Sequence, residues 1–272
     1  MSNNCNIKTA LTIAGSDSSG GAGIQADIKT MTVLGVYAMS AITSLTAQNT
    51  MGVTDVSDVS PDLLKMQIDA VFEDIFPNAV KVGMVSSAEL AQVIADRLKY
   101  YGAKNIVVDP VMVSTSGSTL AKDGCVKKME EKLFPLAKLI TPNIPEAEIL
   151  WGKRISSRDD MQNCAIGLAQ RYGCAVLLKG GHCEDGADDI LVYKKCDKEI
   201  WLTGERIDNP NTHGTGCTLS SAVAAYLARG EDLENAVKRA KKYLTGAIGA
   251  GLDLGKGRGP LDHAYALRKH IQ

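Results

Sequence analysis

Short apolar runs that alternate with helical patterns are the feature that most restricts the fold of this chain. Five such runs, each bounded by Gly, Pro or Asn, read as strands: residues 10–15, 79–84, 105–112, 137–143 and 174–180. Continuous apolar runs of this kind are typical of parallel strands buried on both faces. Helical spacing separates them, for example over residues 61–76 and 87–102. This order predicts an α/β fold with a doubly wound, mostly parallel sheet and helices on both faces.

The later part of the chain follows a different pattern. Residues 188–204 contain two strand-like runs around a polar turn at Lys195–Lys198, which predicts an antiparallel hairpin at a sheet edge. Helical patterns follow over about 217–229 and 232–249. Because no linker, repeat or low-complexity segment interrupts the chain, we expect a single domain over residues 1–272.

Charge and cysteine content narrow the classes of function. The 272 residues carry a formal net charge of −1, which argues against nucleic acid or an anionic membrane as the main partner. The first residues do not resemble a signal peptide, and no run approaches the ~18–20 apolar residues that span a bilayer. The seven cysteines contain no C-x-x-C pair, so neither a disulfide framework nor a zinc site is expected. We therefore expect a soluble cytoplasmic protein.

The first glycine-rich turn, "SDSSGGAGIQAD", follows a strand and opens a helix. Its residues 21–26 fit G-x-G-x-x-A, the fingerprint of dinucleotide-binding folds. That fold also needs an acidic residue ~20 positions later, but no Asp or Glu lies between Asp27 and Asp55. The turn is better interpreted as backbone that cradles another polar ligand, or as a tight turn that needs glycine.

The second glycine-rich turn, "HGTGC", places Cys217 at the start of a predicted helix. Gly214 and Gly216 let the backbone approach a ligand and direct N–H groups at one point, which suits a phosphate. The helix end should lower the pKa of Cys217, so that its thiolate could accept a proton from a substrate hydroxyl. The alternative is a small residue packed under the turn.

Two further strand ends carry polar residues. Asn143 and Glu146 stand three apart at a strand-to-helix junction, where they could meet hydrated Mg²⁺ or simply form a capping box. Lys179 ends another strand, where it could contact phosphate or lie on the surface. Since ligands bind beyond the carboxyl ends of parallel strands, these positions predict one active site.

Together these stretches resemble one family over about residues 10–265. The resemblance rests on "ALTIAGSDSSGGAGIQADIKT", "LTAQNTMGV", "VKVGM", "VVDPVMVSTSGS", "LITPNIPEAEIL", "LLKGGH" and "HGTGCTLSSAVAAYLARG". The chain is similar to the hydroxymethylpyrimidine/phosphomethylpyrimidine kinases of thiamine biosynthesis, in the ribokinase-like superfamily. This resemblance implies a three-layer α/β/α fold, ATP and Mg²⁺ as co-substrate and cofactor, two successive phosphorylations and a homodimer.

The resemblance also implies roles for individual residues. The pyrimidine pocket would be formed by Gly15, Ala22, Gly23, Asp27, Gln48 and Met84. ATP would be bound by Asn143, Glu146, Lys179 and Gly180, with Asn143 and Glu146 reaching Mg²⁺ through water. The anion hole would consist of Gly214, Thr215 and Gly216, with Cys217 as the base. His213, counted with the substrate-binding residues, would tune Cys217 or contact phosphate.

Two other functions remain open at this point. Pyridoxal kinases of the same branch share the G-T-G-C turn, and one group of them has a cysteine in the lid after "DPVM". Here the lid reads Ser114–Ser118 without cysteine, which favours the aminopyrimidine; whether residues 114–121 close is left open. A sugar kinase is disfavoured because it would carry G-A-G-D. A non-catalytic pyrimidine sensor would keep Gln48 and Met84 but lose the phosphate-binding groups.

Overall fold

The computed structural model describes residues 7–112, 122–181, 187–204 and 207–271. Its strands are β1 (Lys8–Asp17), β2 (Val36–Asn49), β3 (Gly52–Asp58), β4 (Ala79–Val82), β5 (Ile106–Val108), β6 (Leu139–Ile140), β7 (Ala175–Leu178), β8 (Asp189–Val192) and β9 (Glu199–Leu202). They form one sheet in the order β3-β2-β1-β4-β5-β6-β7-β8-β9. The six neighbouring strands β2, β1, β4, β5, β6 and β7 are parallel to one another. At one edge β3 pairs antiparallel with β2, and at the other edge the β8–β9 hairpin pairs antiparallel with β7.

The helices cover both faces of this sheet. They are α1 (Gly23–Val33), α2 (Pro61–Asp74), α3 (Ala88–Tyr100), α4 (Cys125–Lys128), α5 (Ile144–Trp151), α6 (Arg158–Tyr172), α7 (Thr215–Ala228), α8 (Leu233–Gly249) and α9 (Tyr265–Ile271). One core cluster joins one sheet face to α2, α3, α5 and α6. A second cluster joins the other face to α1, α7 and α8. The three-layer fold expected from the sequence is confirmed.

The central strands are buried throughout, as their apolar sequences predict. Every residue of β4 to β7 is buried, including Lys81, whose charge the surrounding apolar run does not suggest. Helix starts also follow their sequence signals: Ser60 caps α2 by accepting a hydrogen bond from the Leu63 N–H, and Pro61 occupies the first turn. The predicted antiparallel hairpin is confirmed as β8 and β9.

Sequence analysis did not identify the β2–β3 pair at the opposite edge. Strand β2 alternates between buried and exposed residues, and β3 is mostly exposed, so neither forms a continuous apolar run. The start of α7 also differs from the predicted position at residue 217. Because Gly214 takes a left-handed conformation (φ 83°), the helix begins at Thr215, and Cys217 becomes its third residue.

Polar residues collect at the carboxyl edge of the parallel strands. Asp17 ends β1, Gly83 and Met84 follow β4, and Asp109 follows β5 directly. Pairing between β1 and β2 shifts in register between Ala14 and Ser16, so that Gly15 stands at an irregularity beside this edge. The topology therefore brings residues from distant parts of the chain to one side of the sheet. In the described ranges, no helix is long and apolar enough to cross a bilayer.

Candidate active site

A cavity of about 1120 Å³ opens at the carboxyl edge of the sheet. Its lining includes most residues selected from the sequence: Gly15, Ala22, Gly23, Gln48, Met84, Asn143, Glu146, Lys179, His213, Gly214, Thr215, Gly216 and Cys217. Asp27 and Gly180 are not among the lining residues. One cavity thus joins the first glycine-rich turn, the second glycine-rich turn and the ends of several strands.

The first glycine-rich turn wraps around a carboxylate of its own. Asp17 accepts hydrogen bonds from the backbone N–H groups of Ser19 (2.8 Å), Gly21 (3.0 Å) and Ala22 (2.8 Å). Burial would raise the pKa of Asp17, but hydrogen bonds from His213, Ser19 and Ala22 lower it well below its usual range. The prediction that these N–H groups bind an external polar ligand is therefore wrong, because they already donate to Asp17. Asp17 was not singled out from the sequence.

Glycine is required where this turn meets its neighbours. A Cβ on Gly23 (φ 55°) would lie 2.3 Å from the Gly15 carbonyl oxygen. A Cβ on Gly214 would lie 1.9 Å from the Gly21 carbonyl oxygen. Since both distances are far below van der Waals contact, Gly23 packs against the backbone of β1, and Gly214 packs against the backbone of the first glycine-rich turn.

His213 connects the two turns through side chains. Its Nε2 lies 2.9 Å from Asp17 Oδ2 and 3.3 Å from the Gln48 side-chain nitrogen. Because Thr46 Oγ1 donates to the Ser16 carbonyl at 2.9 Å, its single proton is used there. Thr46 Oγ1 also lies 3.2 Å from the Gln48 side-chain oxygen, so the Gln48 amide lies between Thr46 and His213.

The start of α7 presents unpaired N–H groups to the cavity. The Thr215 N–H bonds to the Thr212 carbonyl and the Thr218 N–H to the Gly214 carbonyl. Within the described residues, the N–H groups of Gly216 and Cys217 make no such bond. A Cβ on Gly216 would lie 3.3 Å from Asp109 Oδ2 and 3.5 Å from Lys179 Nζ, so this backbone faces a pair of charges. The arrangement can receive an anion.

Cys217 lines the cavity and is partly exposed. Burial raises the pKa of its thiol to about 11; Asp27 and Asp109 act in the same direction, and Lys81 and the Gly23 N–H oppose them. The lowered pKa expected from the helix end is therefore wrong, because desolvation outweighs the helix N-terminus here. In this structure the thiol is protonated at neutral pH.

Asp27 lies beneath the cavity rather than on its wall. Its side chain is fully buried and its Oδ2 accepts hydrogen bonds from Lys81 Nζ (2.8 Å) and Thr12 Oγ1 (2.6 Å). Its Oδ1 makes no hydrogen bond to the described residues. The structure therefore separates Asp27 from the other residues expected in the pyrimidine pocket.

Asp109 and Lys179 form the charged centre of the cavity. Lys179 Nζ lies 3.1 Å from Asp109 Oδ1, which also accepts a hydrogen bond from Thr141 Oγ1 at 3.0 Å. Burial would raise the pKa of Asp109, but Lys179 and Lys81 lower it overall. Sequence reasoning missed Asp109, although a carboxylate directly after the apolar run "IVV" was a usable signal.

Asn143 and Glu146 form the capping box of α5. Asn143 Oδ1 accepts from the Glu146 N–H at 2.9 Å, and Glu146 Oε2 accepts from the Asn143 N–H at 2.8 Å. Burial raises the pKa of Glu146 to about 7; Lys179 opposes this effect and the negative charge of Asp109 adds to it. The predicted capping box is thus observed, and Glu146 also lines the cavity.

Gly180, expected to bind ATP, is not among the lining residues and packs against the start of β8. Its N–H donates to Asp189 Oδ1 at 3.0 Å, and a Cβ there would lie 1.9 Å from the Asp188 carbonyl oxygen. Gly180 therefore allows β7 to approach the start of β8. The neighbouring Gly181 lines the cavity.

The far end of the cavity lies between the β8–β9 hairpin and α8. Lys241 Nζ is held there by Asp189 Oδ2 (2.8 Å) and by the carbonyl oxygens of Ala187 (2.8 Å) and Leu202 (2.9 Å). The lining of this slot includes the apolar residues Ile207, Pro210, Leu244 and Ile248, and the polar residues Asp208, Asn209 and Thr245. None of these residues was selected from the sequence. The suggested lid, residues 114–121, lies outside the described residues.

Comparisons with known proteins agree with this geometry. The family model described as phosphomethylpyrimidine kinase matches residues 17–262. A hydroxymethylpyrimidine/phosphomethylpyrimidine kinase of Rhizobium meliloti is 49% identical over 94% of this chain and 97% of its own length. The thiamine biosynthesis bifunctional protein ThiED of Geobacter sulfurreducens is 48% identical over 95% of this chain, which spans 52% of that longer relative.

Solved structures are similar as well. The crystal structure of phosphomethylpyrimidine kinase from Clostridium difficile has a TM-score of 0.79 and 49% identity, covering 89% of this chain and 99% of that one. The ADP complex of Bacillus subtilis pyridoxal kinase has a TM-score of 0.88 and 36% identity, covering 96% and 99%. Fold, cavity and sequence lead to the same assignment: this chain belongs to the phosphomethylpyrimidine kinase family of ribokinase-like phosphotransferases.

Proposed function

We propose that this protein transfers the γ-phosphoryl group of ATP to the hydroxymethyl group of 4-amino-5-hydroxymethyl-2-methylpyrimidine and then to the resulting monophosphate. The observation that carries this proposal is the meeting of Gln48, Cys217 and Lys179 in one cavity. Gln48 supplies an amide that can bind an aminopyrimidine. Cys217 lies in the first turn of α7, which can bind a phosphoryl group, and Lys179 supplies a cation for nucleotide phosphate.

The pyrimidine would lie beside Gln48 and Met84. A carboxamide can donate and accept at once, which matches an exocyclic amino group next to a ring nitrogen. Gly15 leaves the room that Met84 needs, because a Cβ there would lie 3.1 Å from the Met84 sulfur. Ala22 and Gly23 complete this part of the lining.

The transferring phosphoryl group would lie at the start of α7. The unpaired N–H groups of Gly216 and Cys217, with Lys179 beside them, are placed to stabilise charge on its oxygens. Phosphoryl transfer depends chiefly on such positioning and charge stabilisation. Gly214 and Thr215 would set the orientation of these groups by fixing where the helix begins.

Cys217 is the proposed acceptor of the substrate hydroxyl proton. Since its pKa is about 11 in this structure, the thiol must release its own proton before it can act as a base. The rate of the first phosphorylation should therefore rise with pH above neutrality. His213 would serve the pyrimidine side of the cavity through its contacts with Asp17 and Gln48.

Asp109 and Glu146 fit a Mg²⁺ ion bound largely through water. Within the described residues there is no group of three or more His, Cys, Asp or Glu that could enclose a metal. However, the Asp109 charge contributes to the raised pKa of Glu146, and a divalent cation would relieve that repulsion. Together with Asn143, these residues would hold the ion, which supplies charge neutralisation for the ATP phosphates.

The adenine base would lie in the slot between the hairpin and α8, where Leu244 and Ile248 form part of the wall. We also propose, on the family resemblance, that the protein is a cytoplasmic homodimer. Light scattering on the purified protein would measure its oligomeric state.

Pyridoxal phosphorylation is the second candidate, favoured by the pyridoxal kinase structure at a TM-score of 0.88. The sensor interpretation has less support, because the family consists of kinases and the phosphate-binding groups are present. An ADP-release assay with MgATP tests all three by comparing hydroxymethylpyrimidine, its monophosphate and pyridoxal. Faster turnover of both pyrimidines supports the proposal. Faster turnover of pyridoxal would replace it, and no turnover of any would favour a sensor.

A further inference from the structure

Residues 250–260, here called the rim, run beside the cavity, and Arg258 is their member in its lining. The rim is fastened at two places. Thr50 Oγ1 accepts hydrogen bonds from the Lys256 and Gly257 N–H groups, both at 3.2 Å. Further along, the Gly259 N–H donates to Asn211 Oδ1 at 2.8 Å. The rim is therefore held in a defined position against Thr50 and Asn211.

This rim touches the pyrimidine side of the cavity. The Gly259 carbonyl accepts a hydrogen bond from the His213 N–H at 3.2 Å, and His213 in turn contacts Gln48. Thr50, which fastens the rim, follows Gln48 by two residues. The residue between these two fastening points is Arg258, and it lines the cavity.

Arg258 differs from the other cationic side chains of the lining. Lys179 pairs with Asp109, and Lys241 pairs with Asp189. Arg258 is exposed, and it has no carboxylate or hydrogen-bond partner within the described residues. Among the described residues, the Arg258 guanidinium is thus a cation of the cavity lining without a hydrogen-bonded or ion-paired partner.

The two proposed phosphate acceptors differ in charge. The alcohol is neutral, whereas its monophosphate carries a charge of about −1.5 to −2 at neutral pH, as other phosphate monoesters do. The lining also contains the carboxylates Asp17, Asp109, Asp189 and Asp208, which repel such a group. A cation without a carboxylate partner is best placed to offset this repulsion, and a guanidinium can bind phosphate with two parallel hydrogen bonds.

We infer that Arg258 binds the phosphate of the monophosphate acceptor and so distinguishes the second substrate from the first. This inference rests on the proposed function. It assigns Lys179 and the start of α7 to the transferring group, and Arg258 to the phosphate that the acceptor brings with it. The neutral alcohol makes no use of the guanidinium.

The test compares Arg258→Ala and Arg258→Lys with Lys256→Ala, which removes a neighbouring exposed cation that is absent from the cavity lining. KM is measured for the alcohol, the monophosphate and ATP. We expect Arg258→Ala to raise the KM of the monophosphate about tenfold or more, as loss of a charged hydrogen bond does. Arg258→Lys should recover part of this loss. The other two KM values and the Lys256→Ala variant should stay near wild type.

Titration calorimetry separates this inference from the proposed function. The monophosphate is titrated into wild type and Arg258→Ala at two salt concentrations. We expect weaker binding to the variant and a larger salt dependence for wild type. Equal monophosphate affinity in the two proteins, or a rise confined to the KM of ATP, would overturn the assignment of Arg258. If wild type binds the monophosphate but does not phosphorylate it, the proposed second step fails while Arg258 is still tested.

Discussion

Lys81 Nζ lies 2.8 Å from Asp27 Oδ2, and both side chains are fully buried beneath the cavity. Burial would lower the pKa of Lys81, but the Asp27 charge raises it overall. Both residues also act on Cys217, in opposite directions. This buried pair therefore affects the electrostatics of the active site, although neither side chain lines the cavity.

Removal of one partner should destabilise the fold strongly. Lys81→Met leaves the Asp27 charge buried without compensation, which typically costs about 3–5 kcal/mol. Urea unfolding measures the free energy. The double variant Lys81→Met/Asp27→Asn removes the uncompensated charge and should regain part of the loss. A single variant within about 1 kcal/mol of wild type would contradict the importance of the pair.

The Cys217 thiol should react slowly at neutral pH. Only the thiolate is alkylated, and a pKa raised to about 11 makes the thiolate fraction small below that value. The iodoacetamide labelling rate should therefore rise about tenfold per pH unit from pH 7 to 9. Mass spectrometry of the peptide that contains Cys217 separates it from the other cysteines. A rate that reaches a plateau below pH 8 would show a low pKa instead.

Cys217→Ala should affect the two phosphorylations unequally. The alcohol must lose a proton during transfer, whereas the phosphate of the monophosphate is already largely ionised at pH 7.5. We expect kcat for the alcohol to fall about a hundredfold or more, and kcat for the monophosphate to fall far less. The KM of ATP serves as the control and should change little. Equal losses in both steps would argue against Cys217 as the base.

Gln48→Ala should weaken pyrimidine binding. Loss of hydrogen bonds from the amide to the ring should raise the KM of the alcohol about fivefold or more, with little change in the KM of ATP. Steady-state kinetics with each substrate varied in turn measures both constants. Asn49→Ala is a control on the adjacent residue, which is not part of the cavity lining. An unchanged KM in Gln48→Ala would move the pyrimidine pocket elsewhere.

Two adjacent glycines provide a matched test of backbone packing. In Gly180→Ala the new Cβ would lie 1.9 Å from the Asp188 carbonyl oxygen, whereas at Gly181 it would meet no atom of the described residues within 4 Å. Gly180→Ala should therefore lose about 1–3 kcal/mol of stability, and Gly181→Ala should lose less than about 1 kcal/mol. Thermal unfolding compares the two variants. Equal stability would mean that β7 and β8 can move apart without cost.

Much of the fold could be predicted because buried parallel strands have a strong local signature. The runs around β1, β4 and β7 are apolar on both faces, and the polar turn at Lys195–Lys198 predicts the edge hairpin. Strands β2 and β3 escaped detection because an alternating or exposed strand is stabilised by its neighbours, which the local sequence does not show.

The candidate site likewise has features that the local sequence predicts and features that only the folded structure shows. The sequence by itself determined which residue types stand at the strand ends and that a glycine-rich turn leads into a helix near Cys217, because glycine spacing and chain order are local properties. Only the tertiary structure decided that Asp27 pairs with Lys81, that Asp17 fills the first turn and that the Cys217 pKa is raised. Burial and charge pairing depend on contacts between distant residues, and these arise only when the chain is folded.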